Sequence, residues 1–218
     1  MLNRRRALMV QRESAPILPS GYRQLTYIES TGTQRIQLST WSTNSVFLNT
    51  QIYLRCAVTT HDASSTNLIC GTLYNAAQCI GVYNSVPAFG VGASSGEYFT
   101  DIDMTEFHDY TMRWEETSTA RRYKIIATCD GTITCQRTMT SDVKPGAHSL
   151  FAVKVDNSWD RYFKGKLARY TSTNQNGTAH DLIPAERVSD GVVGLYDIIT
   201  DNFLTNGGTG SFVKGAYV

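Results

Sequence analysis

Three carboxylates at Asp101, Asp103 and Glu106 stand at positions i, i+2 and i+5, the first spacing in the chain that could do chemistry. Hydrolysis of a glycosidic bond needs two carboxyl groups flanking it, roughly 5–5.5 Å apart when one is the nucleophile and the other the acid/base. Asp101 and Glu106 would take those roles. The segment runs directly into an alternating stretch from Phe107 to Trp114, so it reads as a solvated acidic turn and no catalytic residue is assigned.

Other reactive side chains are scattered. His61, His108, His148 and His180 occur singly, with neither HExxH nor HxH spacing, so no zinc or nucleophile–base site has local support. His108 alternates with Tyr110 and Met112 and reads as a satisfied sheet residue. The turn-rich stretch Gly81–Gly96 lacks the Lys-Ser/Thr ending of a phosphate-binding loop. Asp156, Asn157 and Asp160 cluster oxygens around Trp159. Such oxygens could ligate calcium, and the ring could stack on a sugar, although a solvated turn or a subunit contact has the same composition. Trp41 and Tyr74 are further loop aromatics. No cofactor other than that calcium is expected. Asn176-Gly-Thr178 fits a glycosylation sequon, which has meaning only on a secretory route. The five cysteines, Cys56, Cys70, Cys79, Cys129 and Cys135, are odd in number and form no CxxC. Cys129 and Cys135 flank a tight turn at Asp130-Gly131, where Cys129 would face Thr132 and Cys135 would face Ile126. The expectation is buried, reduced thiols made in a reducing cytoplasm.

The N-terminal segment differs from the rest. Arg4, Arg5, Arg6 and Arg12 stand against the single acid Glu13, and Pro16 to Gly21 punctuate the boundary. The apolar residues after the triplet, Ala7, Leu8, Met9 and Val10, are too few for the roughly 7–15 of a signal peptide. They favour docking into a groove on another protein, so Arg4, Arg5, Arg6, Leu8, Met9 and Arg12 are the expected partner-binding residues. With 20 basic against 19 acidic residues, net +1, nucleic acid is not an expected partner. No run approaches the roughly 18–20 apolar residues of a membrane span. Residues 1–20 are expected to form an arm and residues 21–218 one domain.

The elements that must position these groups are strands. Among 218 residues, 41% are hydrophobic and 18% charged, an ordinary globular balance. Thr, Ser, Gly, Tyr and Asn abound, which favours strands and turns over helices. From Val46 to Val58 every second residue (Val46, Leu48, Thr50, Ile52, Leu54, Cys56, Val58) falls on one face, with Asn49, Gln51 and Arg55 on the other. Similar runs lie at 67–72, 78–84, 87–92, 107–116, 147–155, 162–171, 179–187 and 191–196. Residues 121–129 and 132–138 form a hairpin around Asp130-Gly131. No helical stripe appears, beyond a short turn around 141–146. About a dozen strands without helices imply two packed antiparallel sheets or a barrel.

Two segments narrow the class. The first is Leu18 to Gln34, containing Tyr27-Ile-Glu-Ser-Thr-Gly-Thr-Gln34. The second runs from Asp181 through Gly194-Leu-Tyr-Asp197, Asn202-Phe203 and Asn206-Gly-Gly-Thr-Gly-Ser-Phe212. Together they resemble the concanavalin A-like, laminin-G-type jelly-roll domains of bacteriophage structural proteins and gut-bacterial surface proteins. Phe163-Lys-Gly-Lys-Leu-Ala-Arg-Tyr170 looks like the penultimate core strand of that family. The resemblance implies an all-β, two-sheet antiparallel jelly-roll sandwich whose first and last strands pair. Tyr27, Leu195, Tyr196 and Phe203 would lie in or beside its core. It also implies a virion structural protein without enzymatic activity, a capsid decoration, head fibre or tail component. Its arm would dock on other virion proteins, and the protein would be a homo-oligomer, with a trimer the favoured form. A host-surface glycan at Trp159, Asp156, Asn157 and Asp160 is the alternative, adhesin-like role. Jelly-roll glucanases carry E-x-D-x-x-E on a strand, and here Asp101 stands one methylene short of the first Glu.

Overall fold

The computed structural model describes residues 18–41, 51–60, 66–72, 78–83, 86–89, 97–99, 101–119, 123–138, 146–155, 158–174 and 177–218. The expected arm residues Arg4, Arg5, Arg6, Leu8, Met9 and Arg12 lie outside them. So do Asp156, Asn157, His61, Tyr74, Asn176, residues 46–50 and most of the expected turn at 141–146.

Nineteen strands and no helix are found among the described residues. They are β1 (Tyr22–Gln24), β2 (Ile28–Thr31), β3 (Ile36–Trp41), β4 (Gln51–Val58), β5 (Thr66–Thr72), β6 (Gln78–Tyr83) and β7 (Val86–Phe89). β8 (Glu97–Tyr98), β9 (His108–Glu116), β10 (Tyr123–Cys129), β11 (Ile133–Thr138), β12 (Gly146–Leu150) and β13 (Val153–Val155) follow. The chain ends in β14 (Ser158–Asp160), β15 (Lys164–Asn174), β16 (Gly177–Arg187), β17 (Val193–Asp197), β18 (Asn202–Leu204) and β19 (Val213–Lys214).

The larger sheet runs β11-β10-β9-β4-β15-β16-β17-β18, and the second runs β3-β12-β5-β6-β7-β8. Every pairing between these strands is antiparallel. In β4 the alternation seen in the sequence is realised: Ile52, Leu54, Cys56 and Val58 are buried while Gln51 and Arg55 are exposed. The inner faces of the two sheets meet in one apolar cluster. Leu54, Met112 and Tyr170 come from the larger sheet, and Ile36, Ile69 and Leu150 from the second. The fold is therefore an all-β antiparallel sandwich.

The opening segment is built into the end of the chain. β2 pairs with β15 on one side and β19 on the other, while β1 lies against β16. A bridge between Leu25 and Tyr217 continues the seam. The last strand thus pairs with the second and not, as expected, with the first, which β16 takes up instead; both pairings cover edges that would otherwise stand open. Leu195 and Tyr196 are buried, and Tyr27 and Phe203 sit at the margin of the core.

Three local expectations need correction. Thr132 N–H does close the turn on the Cys129 carbonyl at 3.1 Å, with positive φ at Asp130 and Gly131. The ladder, however, pairs Cys129 with Ile133 and Cys135 with Ala127, one residue off the expected register, because Thr132 belongs to the turn. The run 147–155 is two strands, since Phe151 takes a φ of +64° and breaks the pleat. Its backbone instead joins Ile69 and Phe163 through bonds of 2.8 Å. Trp159 lies on a strand, β14, opposite Lys154, and not in a loop.

A candidate polar groove at the chain-closing end

The β16–β17 connection is pinned by its own ion pair. The Arg187 guanidinium donates to Asp190 at 2.7 and 3.1 Å, and Val192 N–H donates to Asp190 Oδ1 at 3.2 Å. These bonds hold the Asp190 carboxyl below its ordinary range. Gly191, at φ +70°, allows its N–H to reach the Arg187 carbonyl at 2.9 Å.

The opposite wall is the loop from Thr205 to Phe212. Asn206 organises it: Oδ1 accepts from Gly208 N–H at 2.7 Å and from Arg35 N–H at 3.0 Å, while Nδ2 donates to the Thr209 and Gly210 carbonyls. A Cβ on Gly208 would stand 2.1 Å from the Thr33 carbonyl oxygen, so this approach demands glycine.

Between the walls lies a groove of about 640 Å³. Its floor includes Phe212, which is buried against Phe151 with ring centroids 5.0 Å apart. Its end is formed by Glu186 and Lys214, joined at 2.8 Å, with the Tyr217 hydroxyl donating to the second carboxylate oxygen. Lys214 first, and Tyr217 with it, hold the Glu186 carboxyl below its usual value. Two acids and two bases line the groove, each already paired, so it presents mixed hydrogen-bonding groups and no net charge. Such a surface suits a neutral polyhydroxylated ligand better than an ion. Sequence reasoning missed it, because Glu186, Arg187 and Asp190 looked only like parts of a structural motif and Lys214 stood beyond that motif.

The residues expected from sequence are placed elsewhere. Trp159 is half-buried, and the Arg35 guanidinium lies over its ring, 4.6 Å from the centroid. Arg35 also reaches the Tyr162 hydroxyl at 3.3 Å. Its carbonyl accepts from Gly207 N–H at 2.9 Å, which ties the Trp159 surface to the groove wall. Asp160 is exposed and accepts from the neighbouring Arg161 N–H at 2.7 Å.

Asp101, Asp103 and Glu106 are exposed and lie in a turn, not on a strand. Asp103 Oδ1 is occupied by Thr105, through its hydroxyl at 2.6 Å and its N–H at 3.0 Å. The geometry is that of a turn stabilised by its own side chain. Both ring nitrogens of His108 face an oxygen, Nδ1 that of the Asp130 carboxylate and Nε2 that of the Asp103 carbonyl. His108 is also the only described histidine that meets a cysteine and a carboxylate at metal-ligand range, the group being His108, Cys129 and Asp130.

Among the described residues no helix is long and apolar enough to cross a membrane. The chain matches no model of a known protein family and no curated protein sequence.

Proposed function

We propose that this chain is a bacteriophage virion structural protein: a lectin-like jelly-roll module of the laminin-G type, displayed on the particle and fixed to it by its basic leader. The observation that carries this reading is the joint between the two segments on which the resemblance rests. Gln34 Nε2 donates to the Ser211 carbonyl at 3.2 Å, and Arg35 N–H donates to Asn206. Segments that serve one structural unit are expected to meet in space, and these do.

The leader supplies the attachment chemistry. Arg4, Arg5, Arg6 and Arg12, interleaved with Leu8 and Met9, suit an apolar groove with an acidic rim on another virion protein. Attachment of this kind follows the symmetry of the assembly, so we expect a homo-oligomer, with a trimer as the favoured form. Deleting residues 2–16 should leave a folded domain, judged by circular dichroism, that no longer joins particles. Normal incorporation of the truncated protein would refute the tether.

A second role, carbohydrate-binding adhesion to the host surface, is favoured by the neutral groove and by the Arg35–Trp159 platform beside it. A glycan array probed with the intact protein and Trp159→Ala tests it. An absence of binding by the intact protein leaves the architectural role alone. Hydrolysis has no comparable support, because Asp101 and Glu106 share no strand.

A further inference from the structure

The ring of His108 sits between two acceptors. Its Nε2 lies 2.9 Å from the carbonyl oxygen of Asp103, and its Nδ1 lies 2.7 Å from Asp130 Oδ2. Neither oxygen has a proton to give. A neutral imidazole carries a single N–H, so it satisfies one partner and turns a lone pair on the other. With Nε2–H directed at the backbone carbonyl, Nδ1 and Asp130 Oδ2 call for a cation between them: a proton, which fits their 2.7 Å separation, or a metal ion, for which they must part.

The third group at this point decides between them. Cys129 Sγ, a nitrogen of His108 and a carboxylate oxygen of Asp130 all lie within 4.8 Å of one another. We propose that His108, Cys129 and Asp130 form a site for a divalent metal ion of the zinc class. The donors are a thiolate, an imidazole and a carboxylate. That set suits zinc and excludes the all-oxygen shells of calcium and magnesium.

Each ligand is also held from behind, as metal ligands characteristically are. Asp103 fixes the histidine through Nε2. Asp109 N–H donates to Asp130 Oδ1 at 2.8 Å. The Tyr110 hydroxyl bonds the Cys129 sulfur. Three ligands thus have three separate orienting bonds, arranged by the register that sets Tyr110 opposite Cys129. Bonds of about 2.0–2.3 Å place tetrahedral donors some 3.3–3.8 Å apart, so His108 Nδ1 and Asp130 Oδ2, now 2.7 Å apart, must part by roughly 0.6 Å or more to admit the ion while the Cys129 sulfur draws in. The ligands lie at the end of a strand and in a turn, where such a movement is local. Binding through sulfur needs the thiolate, so the Cys129 proton is released as the metal–sulfur bond forms. The bound ion would clasp the β10–β11 turn to the start of β9. None of this depends on the virion assignment.

The test uses the full chain, freed of metal and kept reduced, titrated with zinc against a chromophoric chelator and with cobalt(II) followed by absorbance. One zinc per chain is expected, with a rise in melting temperature. Cobalt should give a thiolate-to-metal charge-transfer band in the near ultraviolet. That band should vanish in Cys129→Ser, while His108→Gln and Asp130→Asn weaken zinc binding at least tenfold. Asp130→Asn sits at an exposed turn residue with positive φ, which Asn tolerates, so a folded variant is available. No zinc uptake by the folded wild type would overturn the proposal. So would a cobalt band that persists in Cys129→Ser, since another cysteine would then be the ligand.

Discussion

Gln34 and Ser211, 177 positions apart, are joined by a hydrogen bond of 3.2 Å from a side-chain amide to a backbone carbonyl. The amide is buried, and its oxygen also accepts from Ser30 Oγ at 3.0 Å and Thr31 N–H at 2.8 Å. One side chain therefore shapes the β2 turn and ties it to the closing loop.

Replacing Gln34 with Ala removes the partner of the buried Ser30 hydroxyl and those of Thr31 N–H and the Ser211 carbonyl at once. A loss of about 2 kcal/mol is expected, within the range for unsatisfied buried polar groups. Urea denaturation measures it, and an unchanged midpoint would show that the joint is not a stability element.

Two glycines should respond differently to alanine. At Gly131 a Cβ meets nothing within 4 Å, and only the φ of +67° is strained, so the cost should be about 1–2 kcal/mol. At Gly208 the Cβ would collide with a backbone oxygen that cannot move independently. Gly208→Ala should therefore lower the melting temperature well beyond Gly131→Ala, and equal effects would contradict the close approach.

Acid should destabilise the fold through His148 and Asp197. Burial pushes the His148 imidazole down to about 3, and its Nε2 is hydrogen-bonded with the Tyr170 hydroxyl at 2.8 Å. The unfolded chain takes up that proton near pH 6.5 and the native state does not, so stability falls as pH drops from about 6.5 toward 3. Asp197 adds to this at lower pH. Burial raises its carboxyl, but bonds from His180, Thr200 and two backbone N–H groups more than offset the rise, so the group lies below its ordinary value. Its contribution is present above the unfolded carboxylate pKa and is lost below it. His148→Gln should flatten the melting-temperature profile between pH 6.5 and 4, and an unaltered profile would assign the acid sensitivity elsewhere.

The acidic turn should be inert. Asp101→Asn and Glu106→Gln, both at exposed positions, should change stability by no more than about 0.5 kcal/mol, and the wild type should release no sugar from common glucans. Cleavage that disappears in either variant would restore a hydrolytic role.

Strand positions were legible because one face of each strand is buried, and β4 is the clearest case. Registers were less so, since a single turn residue, Thr132, moves the whole β10–β11 ladder by one. The break at Phe151 carries no local signal, because a buried aromatic rarely takes positive φ. The groove and the His108 cluster were invisible for another reason. Each brings together groups distant in sequence: Glu186 and Lys214 are 28 positions apart, and His108 and Asp130 are separated by 22. Only pairing brings them together.

Because β2 is flanked by β15 and β19, a ribosome must deliver almost the entire described chain before this early strand can find both its neighbours. Synthesis should therefore run ahead of folding, and assembly of the domain should be a late, largely post-translational event. Contacts of such long sequence separation are slow to form, on the order of milliseconds to seconds for comparable β topologies. During that interval the apolar face of β2 stays open to chaperones and to sister chains.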